Sequence, residues 1–225
     1  MTAVLVHGIG SNPMWWNPLL PVLEKAGLKP LPLRLPPLEN GDPIRWRDEV
    51  LAHIKSEPVI LIGHSLGAAV CIEAALARPV ADLILLACPP FFADFTPEPP
   101  PEAALSAAAG INAATFLRSA CENAARLACP AIHFVGARDR WVPAAQARRL
   151  PFPLVEIPET GHSLNRSARF AELLLQHLLS SAKVRCRCGP RPQAPKVIER
   201  MLSSDRRRRS RKRAGVGSFP PFRPN

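Results

Sequence analysis

Val59-Ile60-Leu61-Ile62-Gly63-His64-Ser65-Leu66-Gly67-Ala68-Ala69-Val70-Cys71-Ile72-Glu73 is the stretch from which the rest of the chain is read. Its first four residues are apolar without interruption, which suits a strand buried on both faces. From Ala68 the sequence is helical in character, so Gly63 to Gly67 must turn a strand into a helix. A serine at so sharp a turn sits in a strained backbone conformation, and the positions two before and two after must be small for strand and helix to approach. Gly63 and Gly67 meet that need. The same turn puts Ser65 at the amino end of a helix, where peptide dipoles and free N–H groups favour developing negative charge. Five-residue patterns with two glycines also arise by chance, and it is the flanking strand and helix that make Ser65 a candidate nucleophile.

Similar apolar runs recur at Val4–Val6, Leu83–Leu86, Ile132–Val135 and Leu154–Ile157, with a weaker one at Leu31–Leu35. Between them lie stretches long enough for crossover helices, at about 17–27, 43–55, 66–77, 143–150 and 165–180. In the last, Phe170, Leu173, Leu174, His177 and Leu178 recur at spacings of three and four, the stripe of an amphipathic helix. This alternation predicts an α/β sandwich around a mostly parallel sheet of about six strands. The length of 225 residues allows one good-sized core, read as 1–180, with an appendage at 181–225. One segment breaks the rhythm. About 89–130 inserts between two strands, proline-rich at first and then helical in character over Glu102–Ala109 and Ala113–Leu127. A long insertion at the carboxyl end of a strand reads as a short helical cap over a site.

The net charge of +11 suggests a nucleic-acid or membrane binder until it is divided along the chain. Residues 1–180 hold 15 Lys and Arg against 16 Asp and Glu, and 181–225 hold 14 against 2. The basic charge therefore belongs to the tail, whose Pro, Arg and Ser content predicts disorder. Its block Arg206–Arg213 could meet nucleic acid or an anionic surface through phosphate contacts, against the plainer reading of a solvated extension. Cysteines at 71, 88, 121, 129, 186 and 188 form no regular framework and read as reduced thiols. Cys186 and Cys188 offer only two of the four ligands of a structural zinc site, so no metal is expected. With no basic leader and no run of about 18 apolar residues, neither a signal peptide nor a membrane span is expected, and the cytoplasm is the default location.

A serine hydroxyl is a poor nucleophile near neutral pH unless a base removes its proton, and histidine is the usual base. Of histidines 7, 53, 64, 133, 162 and 177, His162 stands out. Glu159-Thr160-Gly161-His162-Ser163 follows the last strand run and precedes the closing helix, on the carboxyl edge of the sheet where Ser65 also lies. His133 falls within a strand run and reads as buried structure, His53 and His177 lie on helices, and His64 adjoins the nucleophile but points elsewhere. The third member must accept the other imidazole N–H, fixing the tautomer. Asp139, in Gly136-Ala137-Arg138-Asp139-Arg140-Trp141-Val142-Pro143, follows a strand run at the equivalent edge. Asp94, beyond the run Leu83–Leu86, is the rival, because some hydrolases supply the carboxylate from that earlier strand.

His7-Gly8-Ile9-Gly10 leaves the strand run Val4–Val6 at the same edge. Taken together, His7-Gly8, Gly63-His64-Ser65-Leu66-Gly67, Gly136 to Pro143 and Gly161-His162 resemble the α/β-hydrolase superfamily, especially its small esterase-like members, over about residues 2–180. The order Ser65, Asp139, His162 is the order that family uses. The resemblance implies a three-layer sandwich, an oxyanion hole from the backbone N–H groups of Ile9 and Leu66, and a loop shaped by His7 and Gly8. Trp15 or Trp16, Trp141, and Phe91, Phe92 and Phe95 at the cap entrance could line an acyl or alcohol pocket, each with ordinary packing as the alternative. Because the chain begins at the strand carrying His7-Gly8, the strands that usually come first are lacking and an edge is left exposed, implying a minimal or truncated hydrolase.

The expected reaction is cleavage of a small-molecule carboxylic ester or thioester through a Ser65 acyl-enzyme, chemistry that needs no cofactor. The same triad also supports carbon–carbon or amide bond hydrolysis, and a non-catalytic binding module remains the alternative from outside enzymology.

Overall fold

The computed structural model describes residues 1–37, 42–55, 57–90 and 115–188, with side chains as far as 182. The chain divides into two units, Met1–Ser181 and Ala182–Asn225, and the first holds every described strand. The strands are β1 (Thr2–Val6), β2 (Lys29–Pro32), β3 (Val59–His64), β4 (Asp82–Leu86), β5 (Ala131–Gly136) and β6 (Leu154–Ile157). They form one sheet in the order β2-β1-β3-β4-β5-β6, and all five neighbouring pairs are parallel.

Alternation along each strand divides the core into two. Val4, Val6, Leu61, Leu83 and Leu85 face one side. Ala3, Leu5, Ile60, Ile62, Ile84 and Leu86 face the other. Over the first face lie α2 (Ile44–His53), α3 (Leu66–Ala77) and α4, spanning 115–123. Over the second lie a 3-10 segment (Pro13–Leu19), α1 (Leu20–Lys25), the one-turn α5 (Ala144–Ala147) and α6 (Ala168–Cys188). A strand covered on both sides has no polar face to present, which is why Val4–Val6, Val59–Ile62 and Leu83–Leu86 are continuously apolar.

The strand β2 differs from its apolar neighbours because it lies at the sheet edge. Lys29 N–H donates to the carbonyl of Met1, just before β1, and Leu33 N–H to that of Leu5 in β1, at 3.0 Å each. Pro30 and Pro32 occupy the intervening positions, whose N–H groups would point away from the sheet. Proline removes a donor where no partner stands, and it blunts an open edge against pairing with another chain.

Some boundaries differ from those expected. α6 runs to Cys188 instead of ending near 180, because Ser181 to Cys188 contains no glycine or proline and the first breakers are Gly189 and Pro190. Of the insertion expected at 89–130, residues 115–126 form the crossover to β5. There Phe116, Leu117, Ala120 and Cys121 pack into the first core, and Ser119 Oγ donates to Glu73 of α3 at 3.1 Å. Residues 91–114 of that expected cap, with Phe91, Phe92, Phe95 and Asp94, lie outside the described residues, as does the tail beyond 188. Among the described residues no helix is long and apolar enough to cross a membrane.

The chain leaves β1 toward β2 on one side and reaches β3 on the other. Carboxyl-end loops part at such a reversal, and the crevice between them is where open α/β sheets bind ligands. His7–Gly10 and Ser65 sit at that point.

Candidate active site

Ser65 joins β3 to α3 with φ 53° and ψ −125°, a left-handed conformation unfavourable to any residue with a side chain. Such a conformation costs on the order of 1 to 3 kcal/mol and persists only where its surroundings enforce it. The enforcement is visible here. Ser65 N–H donates to Leu86 of β4 at 2.8 Å, and Ser65 carbonyl accepts Ala68 N–H at 2.9 Å. A β-carbon on Gly63 would lie 2.4 Å from Gly67 carbonyl oxygen, and one on Gly67 would lie 2.4 Å from Val6 carbonyl oxygen. Both glycines are required by close backbone approach, so the turn lies hard against the end of β1.

In the loop after β1, the Gly8 carbonyl accepts from His7 Nδ1 at 2.9 Å and from Ser11 N–H at 3.3 Å. Because a peptide's C=O and N–H point in opposite directions, anchoring the Gly8 carbonyl turns the Ile9 N–H the other way. Neither Ile9 N–H nor Leu66 N–H, the first of α3, has a partner among the described residues. The His7 ring meets Trp46 edge to face at 5.3 Å, and its burial lowers its pKa against the opposing effect of the Gly8 contact.

Asp139 and His162 are brought together from the ends of β5 and β6. His162 Nδ1 lies 2.9 Å from Asp139 Oδ2, and the carboxylate side chain is fully buried. The other oxygen, Oδ1, accepts N–H from Trp141 and from Val142, both at 2.9 Å. With both oxygens engaged, the carboxylate is fixed in rotation, and a neutral His162 carries its proton on Nδ1 and leaves Nε2 bare. The two loops are packed without spare room. A β-carbon on Gly136 would lie 2.2 Å from Thr160 carbonyl oxygen and 2.3 Å from that of Gly161. Arg138 N–H donates to Thr160 carbonyl at 2.8 Å, and the exposed Arg138 and Glu159 side chains pair across the same seam. No hydrogen bond joins Ser65 Oγ to His162 among the described residues.

The candidate pocket residues separate. Trp141 packs on the His162 ring at 4.6 Å, and Trp15 stacks on His64 at 4.2 Å. Trp16 is corrected to core: it is fully buried in the second cluster with Leu19 and Leu23, and the Trp15 ring packs on it edge to face at 4.7 Å. A groove of about 670 Å³ runs along the outer side of Trp15, bounded by Asn12, Met14, Asn17, Ser163 and Arg166. His133 is buried structure as expected: its Nε2 accepts Cys88 N–H at 3.0 Å, and burial holds its pKa down to about 4. Among the described residues no three His, Cys, Asp or Glu side chains cluster as metal ligands.

Two residues of this edge escaped the sequence reading. His64 was expected to point away, yet its Nε2 lies 3.0 Å from the backbone carbonyl of His162. Asn165, three residues after His162, is buried and donates through Nδ2 to Trp15 carbonyl at 2.6 Å. Adjacency to the candidate nucleophile and base was the only signal either carried.

A family described as the alpha/beta hydrolase family matches residues 3–128. No curated protein matches the chain. Among solved structures, a monoacylglycerol lipase of Paleococcus ferrophilus is similar at 18% identity and a TM-score of 0.66, over 80% of this chain and 94% of that one. A meta-cleavage product hydrolase of Pseudomonas fluorescens is similar at 16% identity and a TM-score of 0.64, over 81% and 91%. A methylesterase of Arabidopsis is similar at 18% identity and a TM-score of 0.58, over 82% and 99%. At these identities the likeness is one of fold.

Proposed function

The chain belongs to the alpha/beta hydrolase family, and from that premise we propose that it is a serine hydrolase cleaving a carboxylic ester or thioester. The observation that carries this reading is the 2.9 Å contact between His162 Nδ1 and Asp139 Oδ2, which leaves Nε2 bare on the rim where strained Ser65 lies. In an unliganded hydrolase the contact between nucleophile and base is commonly long and tightens when substrate binds.

Ser65 Oγ attacks the carbonyl carbon as His162 Nε2 takes its proton, and Asp139 stabilises the imidazolium. The tetrahedral oxyanion accepts the Ile9 and Leu66 N–H groups. One such donor is worth about 3 kcal/mol in the transition state, since it acts only as charge develops. Collapse expels the alcohol or thiol, which leaves with the proton from His162, and Ser65 keeps the acyl group. Water then attacks the acyl-enzyme, His162 takes its proton, and the acid departs as Ser65 Oγ is reprotonated.

Labelling with a fluorophosphonate, followed by turnover of a nitrophenyl ester series of rising acyl length, tests the reading. Wild-type protein should label and Ser65→Ala should not. A wild type that stays unlabelled and turns over no ester, or a Ser65→Ala variant that labels equally, overturns it.

A further inference from the structure

The carboxyl edge contains a closed ring of contacts that no step above uses. Trp15, beyond β1, stacks on His64 with ring centres 4.2 Å apart and planes inclined by 20°. His64, beside Ser65, reaches the His162 backbone carbonyl at 3.0 Å, and its ring lies 4.8 Å from the His162 ring. Asn165, in the turn after His162, returns to Trp15 carbonyl at 2.6 Å. The chain segment from His162 to Asn165 closes the circuit. The end of β3 and the segments that leave β1 and β6 are thereby tied to one another beside Ser65.

The chemistry of His64 is defined by its surroundings. Burial, helped by the neighbouring His162, pushes its pKa down to about 3, so it is neutral across the range in which hydrolases work. A carbonyl oxygen only accepts, so the proton lies on Nε2. Nδ1 is then a bare acceptor, buried and without a hydrogen-bond partner. It lies against Gly8, where an added β-carbon would come within 3.1 Å of Nδ1 and 2.9 Å of Ser65 Cβ. A side chain that leaves one nitrogen unsatisfied while spending the other on a backbone carbonyl incurs a desolvation cost, and a plain core residue would avoid it. The cost is offset if the contact to the base loop is what the position supplies.

We propose that His64, with Asn165 and Trp15, forms a bracket that positions the base loop, holding the His162 imidazole at the reach and angle from which it meets Ser65. This rests on the serine hydrolase reading and deepens it: His64 is a positioning residue that acts through His162. Asp139 sets the tautomer and rotation of the imidazole, and the bracket sets where its backbone stands. A displacement of about 1 Å at a reacting group costs on the order of 100-fold in rate, so the effect falls on kcat.

The test compares His64→Ala, His64→Gln and Asn165→Ala with wild type on a nitrophenyl ester. Gln supplies an N–H near the place of Nε2, and Ala supplies none. We expect kcat to fall about 30- to 100-fold in His64→Ala with KM within about 2-fold, and about 10-fold in Asn165→Ala. His64→Gln should recover to within about 5-fold of wild type, and the double variant His64→Ala with Asn165→Ala should be little worse than His64→Ala alone, because both break one ring. Unchanged kcat in His64→Ala, or equal losses in the Ala and Gln variants, overturns the bracket while leaving the hydrolase reading intact. If wild type turns over no ester, the bracket is decided by amide hydrogen exchange over 160–165, and the hydrolase reading fails only if wild type also stays unlabelled by the fluorophosphonate. Faster exchange in His64→Ala than in His64→Gln supports the bracket, and equal exchange overturns it.

Discussion

Among the described residues two histidine–aspartate contacts stand at opposite ends of the same sheet. At the carboxyl edge His162 Nδ1 meets Asp139 at 2.9 Å. At the amino edge His177 of α6 meets Asp82, the first residue of β4, at 3.5 Å, and Ser181 Oγ lies 3.4 Å from the same ring. Both carboxylates are buried. The difference lies in which nitrogen is used. Asp82 and Ser181 both approach Nε2 of His177, so the imidazole cannot take a proton on one nitrogen while being held by the other. At His162 the acid takes Nδ1 and Nε2 is free. The carboxyl edge also holds the strained serine and the N–H groups of Ile9 and Leu66, which have no partner among the described residues, whereas Ser181 lies within a regular helix. A Ser, His and Asp within reach of one another do not make a site. What sets the carboxyl edge apart is the use of the other ring nitrogen at an edge where strands release their loops.

This contrast can be broken by substitution. His162→Ala should lower kcat/KM for a nitrophenyl ester about 10⁴-fold or more, and His177→Ala should leave it within about 2-fold. Comparable losses would erase the distinction. Asp139→Asn should cost about 10⁴-fold through the wrong His162 tautomer with little change in fold. Asp82→Asn should leave turnover unchanged and lower stability by about 1 to 3 kcal/mol, measured by urea denaturation. Gly136→Ala forces the Asp139 and His162 loops apart and should lower kcat by on the order of 100-fold. A Gly136→Ala variant with wild-type kcat would show that the seam has slack.

Acid sharpens the comparison from another side. His64 is held down to about 3 and His133 to about 4, chiefly by burial, against 6.5 in the unfolded chain. Below 6.5 the unfolded state binds more protons, so the stability these two groups contribute is complete above that value and is lost as pH falls toward 3 to 4. On the order of 2 kcal/mol per histidine should go between pH 6.5 and about pH 5, seen as a falling urea midpoint. The combined His64→Gln and His133→Gln variant should flatten that slope, and an equal slope would contradict the assignment. The smallest effect belongs to Arg138→Ala. Its ion pair with Glu159 is exposed on both sides, so stability should change by less than about 1 kcal/mol and turnover by less than about 2-fold.

Much of the fold could be read directly because parallel strands covered on both faces must be continuously apolar. Val59–Ile62 and Leu83–Leu86 therefore announced β3 and β4 without help from their partners. β2 was the faint one, since an edge position tolerates Pro30 and Pro32 and removes the apolar signal. Trp15 and Trp16 were indistinguishable as neighbours in the sequence, and only the fold set one against His64 and the other in the core.

By itself the sequence determined what depends on neighbours along the chain: the strand-to-helix turn at Gly63–Gly67, the alternation of elements, and the candidacy of Ser65, Asp139 and His162. Tertiary structure alone decided what depends on meetings between segments 23 to 98 residues apart in the chain. It selected the nitrogen of His162 that faces the acid, closed Gly136 onto Thr160, and turned His64 from a bystander into a contact of the base loop. The physical reason is that local backbone sterics are written in consecutive residues. The direction of a hydrogen bond between two loops depends on where a whole sheet places their ends.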